Sequence, residues 1–456
     1  MKRFLSLLFT TLLLTVALCV TASASDFDAV AEDLSTIGMF RGTANGFELD
    51  RAPTRSEAAI MLVRLYGAEE AAKAAYEAGE ISHPFTDVSD FTSPYVAWLY
   101  TNGITNGFTD TTFASQRPCS AQNYATFLLR ALGYKDGTDF AYADALTFAQ
   151  EKGFYDPAMF SGEFLRDDLA ALTYQGLAAD TADGETYLLD KLVESGAIDA
   201  STAKPMTEKM EAYRTLAVSS AAMDENAMDM DIAMKMDATM SAAGESITTS
   251  VEANGNMQMV MNDTDIQLAY LLETTTDGVT IENKIWMKDG WIYFYNGDDL
   301  LKYQMQDPAA VLEDIEPVDM SAMDVSGLAM LDSITSKKSG SNTIYTVVIS
   351  EDLGGVTGSV SDMTGIDDAM SMTFSPITAD YTVDSRGNLK SIAMVFSATM
   401  TMEIPAEDGT TLSMDLKYDY DMLMKINATG SQVKITYPNL SDATEVVGGN
   451  SWPVGM

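Results

Sequence analysis

Histidine, cysteine and basic residues are scarce in this sequence of 456 residues. It contains one histidine, His83, and two cysteines, and 67 acidic residues outnumber its 27 lysines and arginines. The single histidine excludes catalytic schemes that need two imidazoles. The single cysteine beyond residue 24 excludes a disulfide framework and a cysteine-based zinc site. The net charge of −40 argues against nucleic acid and anionic lipid surfaces as partners, because both repel such a field.

Familiar catalytic motifs are missing as well. The sequence has no Gly-x-Ser-x-Gly elbow, no phosphate-binding loop, no His-Glu-x-x-His and no EF-hand ligand pattern. We therefore expect a protein that is not an enzyme and that has no catalytic residues, no metal and no cofactor. Paired carboxylates for glycoside hydrolysis are the catalytic alternative, since acidic residues occur throughout the chain.

The N-terminus has the features of a secretory signal peptide over residues 1–24. Lys2 and Arg3 form a charged start, an apolar run follows over residues 5–20, and Ala22-Ser23-Ala24 is a small-residue cleavage site. A membrane anchor is the alternative, but the apolar run is short for a span. No later stretch reaches 18 uninterrupted apolar residues, so we expect an exported mature chain without a transmembrane segment.

The rest of the chain divides into two parts with different patterns. Residues 25–200 predict short helices punctuated by glycine turns, residues 201–225 a linker and helix, and residues 226–456 an antiparallel β domain. Methionine follows this division, since 26 of the 30 methionines lie at or beyond Met206. The expected fold is therefore multidomain, with an all-α part followed by an α+β part.

The first part contains a weak internal repeat, with three copies at about residues 26–67, 85–134 and 140–178. Each copy predicts a helix, a glycine stop, a turn-rich loop and a second helix. Thr54 and Glu57 form a capping box at the second helix of copy one. The glycines expected to end the first helix of each copy are Gly38, Gly103 and Gly153.

Three sequence motifs in these copies carry a family resemblance. They are Pro53-Thr54-Arg55-Ser56-Glu57, Phe85-Thr86-Asp87-Val88 and Trp98-Leu99-x-x-x-Gly103-Ile104-x-x-Gly107. Over about residues 26–180 the chain resembles the S-layer homology domain. The resemblance implies a pseudo-threefold helical bundle that binds pyruvylated secondary cell-wall polysaccharide on a Gram-positive-type envelope. The polymer-binding residues that it implies are Arg55, Thr54, Glu57, Arg166, Asp87, Trp98 and Gly107, of which Trp98 fits the core better than a ligand contact.

Arg55 has a physical reason to bind an acidic polymer. It lies in the first turn of a helix, where unpaired N–H groups and the helix dipole favour an anion. Its guanidinium suits a carboxylate such as a pyruvate ketal, although a solvated surface arginine is the alternative. Arg166 occupies the matching place in copy three. Copy two has Ala121 there, and Arg117 and Arg130 are the candidates that could compensate.

The second part is rich in methionine and in period-two alternation. From Met228 to Ala238, apolar side chains alternate with mostly charged ones, which predicts a strand with one buried and one wet face. A helix is expected at 203–222, and two more at 308–315 and 320–334 laid across one face of the sheet. Further strands are predicted at 246–261, 265–276, 279–288, 291–295, 343–350, 371–383, 389–404 and 411–427.

This order of elements, with Trp286-Met287-Lys288-Asp289-Gly290-Trp291, resembles the LolA/LppX type of lipid-carrying half-barrel over about residues 203–440. The resemblance implies an apolar face that holds a lipid or another apolar ligand, and flexible methionines suit irregular guests. The alternative is that the methionines pack a closed core under helices. Copper binding fits less well, because a strand spreads methionines along a line rather than around a point.

We therefore predict an exported protein that is anchored non-covalently to secondary cell-wall polymer at the cell surface. Its second part is expected to bind an apolar or lipid-like ligand. The alternative is a structural S-layer component whose second part mediates self-assembly. A wall-anchored hydrolase is the third hypothesis.

Overall fold

The structure is a computed structural model. It describes residues 27–157, 159–160, 162–224, 226–242, 245–262, 265–295, 297, 299–305, 325–349, 370–405 and 411–446. The predicted signal peptide and the predicted helix at 308–315 lie outside the described residues.

The described chain forms two compact units. The helical unit extends to Arg214 and includes a short segment that ends at Asp332, and the sheet unit begins at Thr215 and resumes at Ser333. The division thus falls inside a helix, and the sequence-based domain boundaries stay predictions. A helical part followed by a long-stranded, mainly antiparallel open sheet confirms the predicted fold class.

The helical unit is built from short helices joined by loops. These helices are α1 Asp28–Thr36, α2 Arg55–Leu65, α3 Glu69–Glu77, α4 Ser93–Thr101, α5 Ala121–Leu132, α6 Ala145–Glu151, α7 Arg166–Ala178 and α8 Leu188–Glu194. The longer helix α9, Ala200–Ala221, continues into the sheet unit. The three predicted copies correspond to the pairs α1–α2, α4–α5 and α6–α7, whereas α3 and α8 lie outside them.

The glycine stops of the three copies have one conformation. Gly38, Gly103 and Gly153 have φ values of 74°, 69° and 72°. In this left-handed region a residue with a side chain would have a strained backbone. Each glycine amide donates to the carbonyl three residues earlier, at 2.9, 3.0 and 2.9 Å, which closes the end of the preceding helix. The predicted equivalence of the three stops is therefore confirmed.

The core of the helical unit lies between the helices of successive copies. One buried cluster joins Leu62 and Val63 of α2 to Val96 and Leu99 of α4. The N-terminus of α2 is fixed by the predicted capping box, in which the Thr54 hydroxyl accepts from the Glu57 amide at 3.2 Å. Packing of these apolar faces fixes the loops between the copies.

The sheet unit is built on long antiparallel strands. They are β1 Ala227–Ala242, β2 Glu245–Asn262, β3 Asp265–Thr276, β4 Val279–Lys288, β5 Trp291–Tyr295, β6 Leu300–Gln304, β7 Leu331–Ser339, β8 Asn342–Ile349, β9 Met370–Phe374, β10 Ile377–Val383, β11 Leu389–Pro405, β12 Thr411–Thr429 and β13 Thr444–Glu445. Their order is β13-β6-β5-β4-β3-β2-β1-β12-β11-β10-β8-β7, and β9 pairs with β11. Of the register-defined pairs, β13 with β6 is the parallel one.

Most predicted strands are present within two residues of their expected ends. The predicted turn at Asp289 and Gly290 has positive φ at both residues, which suits a tight hairpin. The prediction of a single strand at 371–383 is wrong, because the segment forms two strands, β9 and β10. The strand is interrupted at Pro376, which has no N–H to donate to a ladder of hydrogen bonds. The helix predicted at 320–334 is wrong over its described part.

That described part forms a short 3₁₀ turn, Ser326–Met330, followed directly by β7. The segment pairs with β8 as a strand, although Leu331 and Ile334 have helical spacing. Side-chain spacing alone predicts a helix weakly where the segment can hydrogen-bond to the edge of a sheet. The strands β6, β7 and β13 were not predicted from the sequence.

Candidate functional site

The junction between copies one and two joins the start of α2 to the loop before α5. The Arg55 amide donates to the Arg117 carbonyl at 2.9 Å, and the Ser56 amide donates to the Ser115 carbonyl at 3.1 Å. Two amides of the first helical turn have no partner within the helix, and carbonyls of this loop accept their hydrogen bonds instead.

The Arg55 side chain is half-buried in this junction. Its Nε donates to the Phe113 carbonyl at 3.1 Å, and its guanidinium lies 5.0 Å from the centre of the Phe113 ring. The Arg117 guanidinium lies 4.5 Å from the centre of the Phe108 ring, and that ring is 58% exposed. Neither arginine forms an ion pair with any described carboxylate, and neighbouring rings hold both.

The Asp87 side chain holds the same loop by accepting hydrogen bonds from the loop's backbone amides. Its carboxylate accepts the amides of Phe113, Ala114 and Ser115 at 2.7, 2.7 and 3.2 Å. Burial is the largest influence and raises the pKa of Asp87, but the three N–H donors together lower that pKa below its ordinary value. The carboxylate therefore stays charged and fixes the loop that contacts Arg55.

Gly107 and Trp98 have packing roles. Gly107 has φ +82°, and a Cβ there would lie 2.2 Å from the Phe85 ring, so a larger residue would displace that ring. Trp98 is half-buried against the helical core and lies 5.5 Å from the Tyr66 ring. Thr54 caps α2. Contact of these three residues with polymer stays a prediction.

The junction between copies three and one has the same backbone register. The Arg166 amide donates to the Arg51 carbonyl at 2.9 Å, and the Asp167 amide donates to the Leu49 carbonyl at 3.2 Å. Arg166 Nε donates to the Phe47 carbonyl at 2.9 Å, as Arg55 does to Phe113. Arg166 is thus the structural counterpart of Arg55.

Glu57 neutralises this second junction. Its Oε1 accepts from Arg166 at 2.7 Å and from Arg51 at 2.6 Å, and the Arg166 side chain is only 4% exposed. Burial is the largest influence on both groups. It lowers the pKa of Arg166, whereas for Glu57 the bonds from Arg51, Thr54 and Arg166 outweigh it and lower the pKa of the carboxyl. Both predicted polymer contacts are therefore already paired inside the protein.

Copy two lacks the corresponding arginine because Ala121 opens α5. Arg130, one candidate to compensate, pairs with Asp136 at 2.7 Å and donates to the Ile104 carbonyl at 3.4 Å. Arg117, the other candidate, lies beside Arg55 in the junction of copies one and two. Neither arginine restores the missing position.

In the sheet unit, one face collects the apolar residues of β1 and its neighbours. Met228 and Met230 pair with Met259 and Met257 of β2, and this end of the face is closed. Its buried cluster comprises Met228, Met230, Met257, Met259, Ile266, Leu268, Tyr270, Ile285, Met287, Ile292 and Met305.

Burial decreases along the same face toward the other end of β1. Met234 and Met236 are half-buried, and Met240 is 41% exposed. Its partner on β2, Ile247, is 65% exposed. The predicted alternation therefore produces one apolar face that is closed at one end and accessible at the other.

None of the helices among the described residues is long and apolar enough to cross a membrane. In the same residues, no three histidine, cysteine, aspartate or glutamate side chains are grouped so that they could hold a metal ion.

Comparison with known proteins finds a family match within the helical part. Residues 84–120 match the family described as the S-layer homology domain, which confirms the predicted resemblance. The "Middle cell wall protein" of Brevibacillus brevis is 32% identical over 114 residues, 24% of this chain and 10% of that protein. The "Surface layer protein" of Brevibacillus choshinensis is 33% identical over 122 residues, 25% of this chain and 11% of that protein. The matches span about a tenth of these relatives.

Two solved structures align with about half of this chain. LprF from Mycobacterium bovis aligns with 52% of this chain and 98% of its own, at 11% identity and a TM-score of 0.26. A DUF1329 family protein from Desulfovibrio piger aligns with 49% of this chain and 95% of its own, at 11% identity and a TM-score of 0.15.

Proposed function

We propose that the helical unit anchors the exported chain non-covalently to an acidic secondary cell-wall polymer. A secreted, cell-surface location follows from the matched domain and from the two Brevibacillus relatives. The observation that carries the anchoring proposal is Arg55, which has no carboxylate partner among the described residues in a chain of net charge −40. An unpaired, half-desolvated guanidinium favours an external carboxylate.

A pyruvylated saccharide supplies such a carboxylate on a rigid ketal. In this proposal Arg55 makes the direct contact, and Asp87 and Gly107 hold the loop that positions it. Thr54 orients the first turn of α2. The resemblance also implies Trp98, Glu57 and Arg166 as polymer contacts, but in this proposal they stabilise the bundle instead.

Sedimentation with cell-wall sacculi tests the anchoring. The mature chain should sediment with sacculi that carry their acidic polymer and stay in solution with sacculi stripped of it. Arg55→Ala should weaken binding by about 1.5–3 kcal/mol, the scale of a charge-assisted hydrogen bond, and should cost only about 1 kcal/mol of stability through loss of its bond to the Phe113 carbonyl. Equal retention on stripped sacculi would refute the anchoring proposal. If Arg55→Ala binds as well as the wild type does, residues other than Arg55 contact the polymer.

We also propose that the sheet unit binds an apolar or lipid-like ligand. The observation in favour is the methionine face, buried near Met228 and accessible near Met240. Adaptable thioether side chains fit guests of irregular shape. Native mass spectrometry of the purified chain should detect co-purified lipid, and delipidated chain should take up a fluorescent fatty acid. Failure of both would favour the alternative, a structural S-layer component that assembles through this unit.

No enzymatic activity is part of this proposal. The hydrolase hypothesis requires two facing carboxylates in a cleft, and assays of wall hydrolysis with the purified chain test it directly. Release of wall fragments above a heat-treated control would overturn the non-enzymatic assignment.

A further inference from the structure

The two arginine-containing junctions can be compared position by position. Residues 47–57 and residues 113–123 correspond without a gap, since both begin with phenylalanine and reach an N-cap seven residues later. Glu48 and Ala114, one residue after each phenylalanine, have φ values of 51° and 60°. The backbones of the two loops therefore match even where the sequences differ.

Each junction contains two arginines in equivalent places. In the junction of copies three and one they are Arg166 and Arg51, and in the junction of copies one and two they are Arg55 and Arg117. In each, the amide of the first arginine donates to the carbonyl of the second at 2.9 Å. The Nε of the first arginine also donates to the carbonyl of the loop phenylalanine.

The carboxylates beside the arginines differ between the junctions. Glu48, which pairs with Arg51 at 3.4 Å, corresponds to Ala114, and Glu57 also has a neutral counterpart. Glu57 Oε1 accepts from both Arg166 and Arg51. Its counterpart in the third helical position of α5 is Asn123, which is neutral. The Asn123 amide contacts the Ser120 hydroxyl at 3.0 Å and accepts from Tyr142 at 2.8 Å. One junction thus carries its own carboxylate, and the other has the arginines without it.

The distribution of ion pairs supports this difference. Ion pairs with carboxylates are formed by Arg41, Arg51, Arg64, Arg130, Arg166, Arg214 and Arg386. Arg55 and Arg117 form none with the described part of the chain. In a protein with 67 acidic residues, these two arginines lie together in one junction.

We propose that Arg55 and Arg117 bind one carboxylate of the wall polymer in the place that Glu57 fills in the other junction. This inference rests on the proposed anchoring function and adds Arg117 as a second contact residue. The ligand class is a saccharide that bears a carboxylate, and the exposed Phe108 ring under Arg117 offers an apolar surface to the sugar. Because Ala121 removes the arginine of the remaining junction, each chain binds one such group.

The decisive variants are Asn123→Glu and its isosteric, neutral control Asn123→Gln. Asn123→Glu supplies the missing internal carboxylate, so binding to purified acidic wall polysaccharide should fall at least about tenfold. Asn123→Gln should bind like the wild type. Arg117→Gln should also lose about tenfold, whereas Arg130→Gln, whose guanidinium is already paired, should not. Polysaccharide whose carboxyls have been reduced to alcohols should bind the wild-type protein at least about tenfold more weakly than the untreated polysaccharide does.

Melting temperatures supply a readout that needs no polymer. Asn123→Glu should raise the melting temperature of the helical unit in the presence of Arg117 and should raise it less in the Arg117→Gln background, where Arg55 is the remaining partner. Equal effects in both backgrounds would overturn the proposed geometry. If wild type fails to bind polysaccharide but this coupling is present, the arginine pair stands and the anchoring function fails. If the wild type binds polysaccharide and both variants, Arg117→Gln and Asn123→Glu, bind it as well as the wild type does, the anchoring function stands. The proposed pairing of Arg55 and Arg117 on one carboxylate is then wrong.

Discussion

Removal of the carboxylate from Glu57 should destabilise the helical unit strongly. Glu57→Gln keeps the size of the side chain and its bond to the Thr54 amide, since glutamine also completes a capping box. It removes the negative charge that faces Arg166, whose side chain is 4% exposed, and Arg51, whose side chain is 36% exposed. The variant therefore leaves the buried Arg166 guanidinium without its ion-pair partner, since Glu48 pairs with Arg51 at 3.4 Å and acts on Arg166 only at longer range.

The magnitude follows from that burial. Breaking a buried ion pair from one side costs about 3–5 kcal/mol, and the partial exposure of Glu57, 24%, reduces this to about 2–4 kcal/mol. For a unit of this size, each kcal/mol corresponds to roughly 2–4 °C in the melting temperature. Glu57→Gln should therefore lower the helical transition by roughly 5–15 °C.

The assay is thermal unfolding followed by circular dichroism at 222 nm, at pH 7 and low salt. Glu70→Gln is the matched control, because Glu70 is 88% exposed and, among the described residues, pairs with Lys73 alone. It should shift the transition by no more than 1–2 °C, about 0.5 kcal/mol. A Glu57→Gln variant that melts with the control would refute the reasoning that a buried charge pair closes this junction.

Two further outcomes follow from the described contacts. Glu69 accepts from Arg41, Arg64, Lys73 and Tyr95, and despite burial these bonds lower its pKa to about 2. Its stabilisation, on the order of 3 kcal/mol, is therefore present above its ordinary value of 4.5 and lost as pH falls toward 2. A Glu69→Gln variant should lack that loss in a pH series of melting temperatures. In the sheet unit, Met234→Asp should cost about 1 kcal/mol and abolish ligand uptake, whereas Met257→Asp, at a 1% exposed site, should cost several kcal/mol and unfold the unit. Similar melting of the two variants would show that the face is closed throughout.

Features that depend on neighbouring residues could be predicted from the sequence. The glycine stops, the Thr54 capping box and the hairpin at Asp289 each involve residues a few positions apart. The alternation around Met234 also identified a strand, because a period of two is a local property. The sequence therefore indicated the helical copies and most strands.

Features that depend on long-range partners could not be predicted in the same way. Glu57 and Arg166 are 109 residues apart in sequence, and nothing local to Glu57 distinguishes a pocket residue from an internal counter-ion. Arg117 was one of two candidates to compensate for Ala121. A gapless alignment of the two loops is the signal that pairs it with Arg51 instead and identifies Asn123 as the neutral counterpart of Glu57.

The overall charge sets one further condition on polymer binding. A protein of net charge −40 and an acidic polymer repel each other over the Debye length, about 30 Å at 10 mM salt and about 8 Å at 150 mM. The attraction to Arg55 acts at contact distance, where salt screens a half-buried group less. Added salt should therefore raise the association rate constant on immobilised polysaccharide, because it shortens the repulsion that precedes contact. An association rate that falls with salt would instead mean that exposed basic groups steer the encounter, and that the arginine junction alone does not account for recognition.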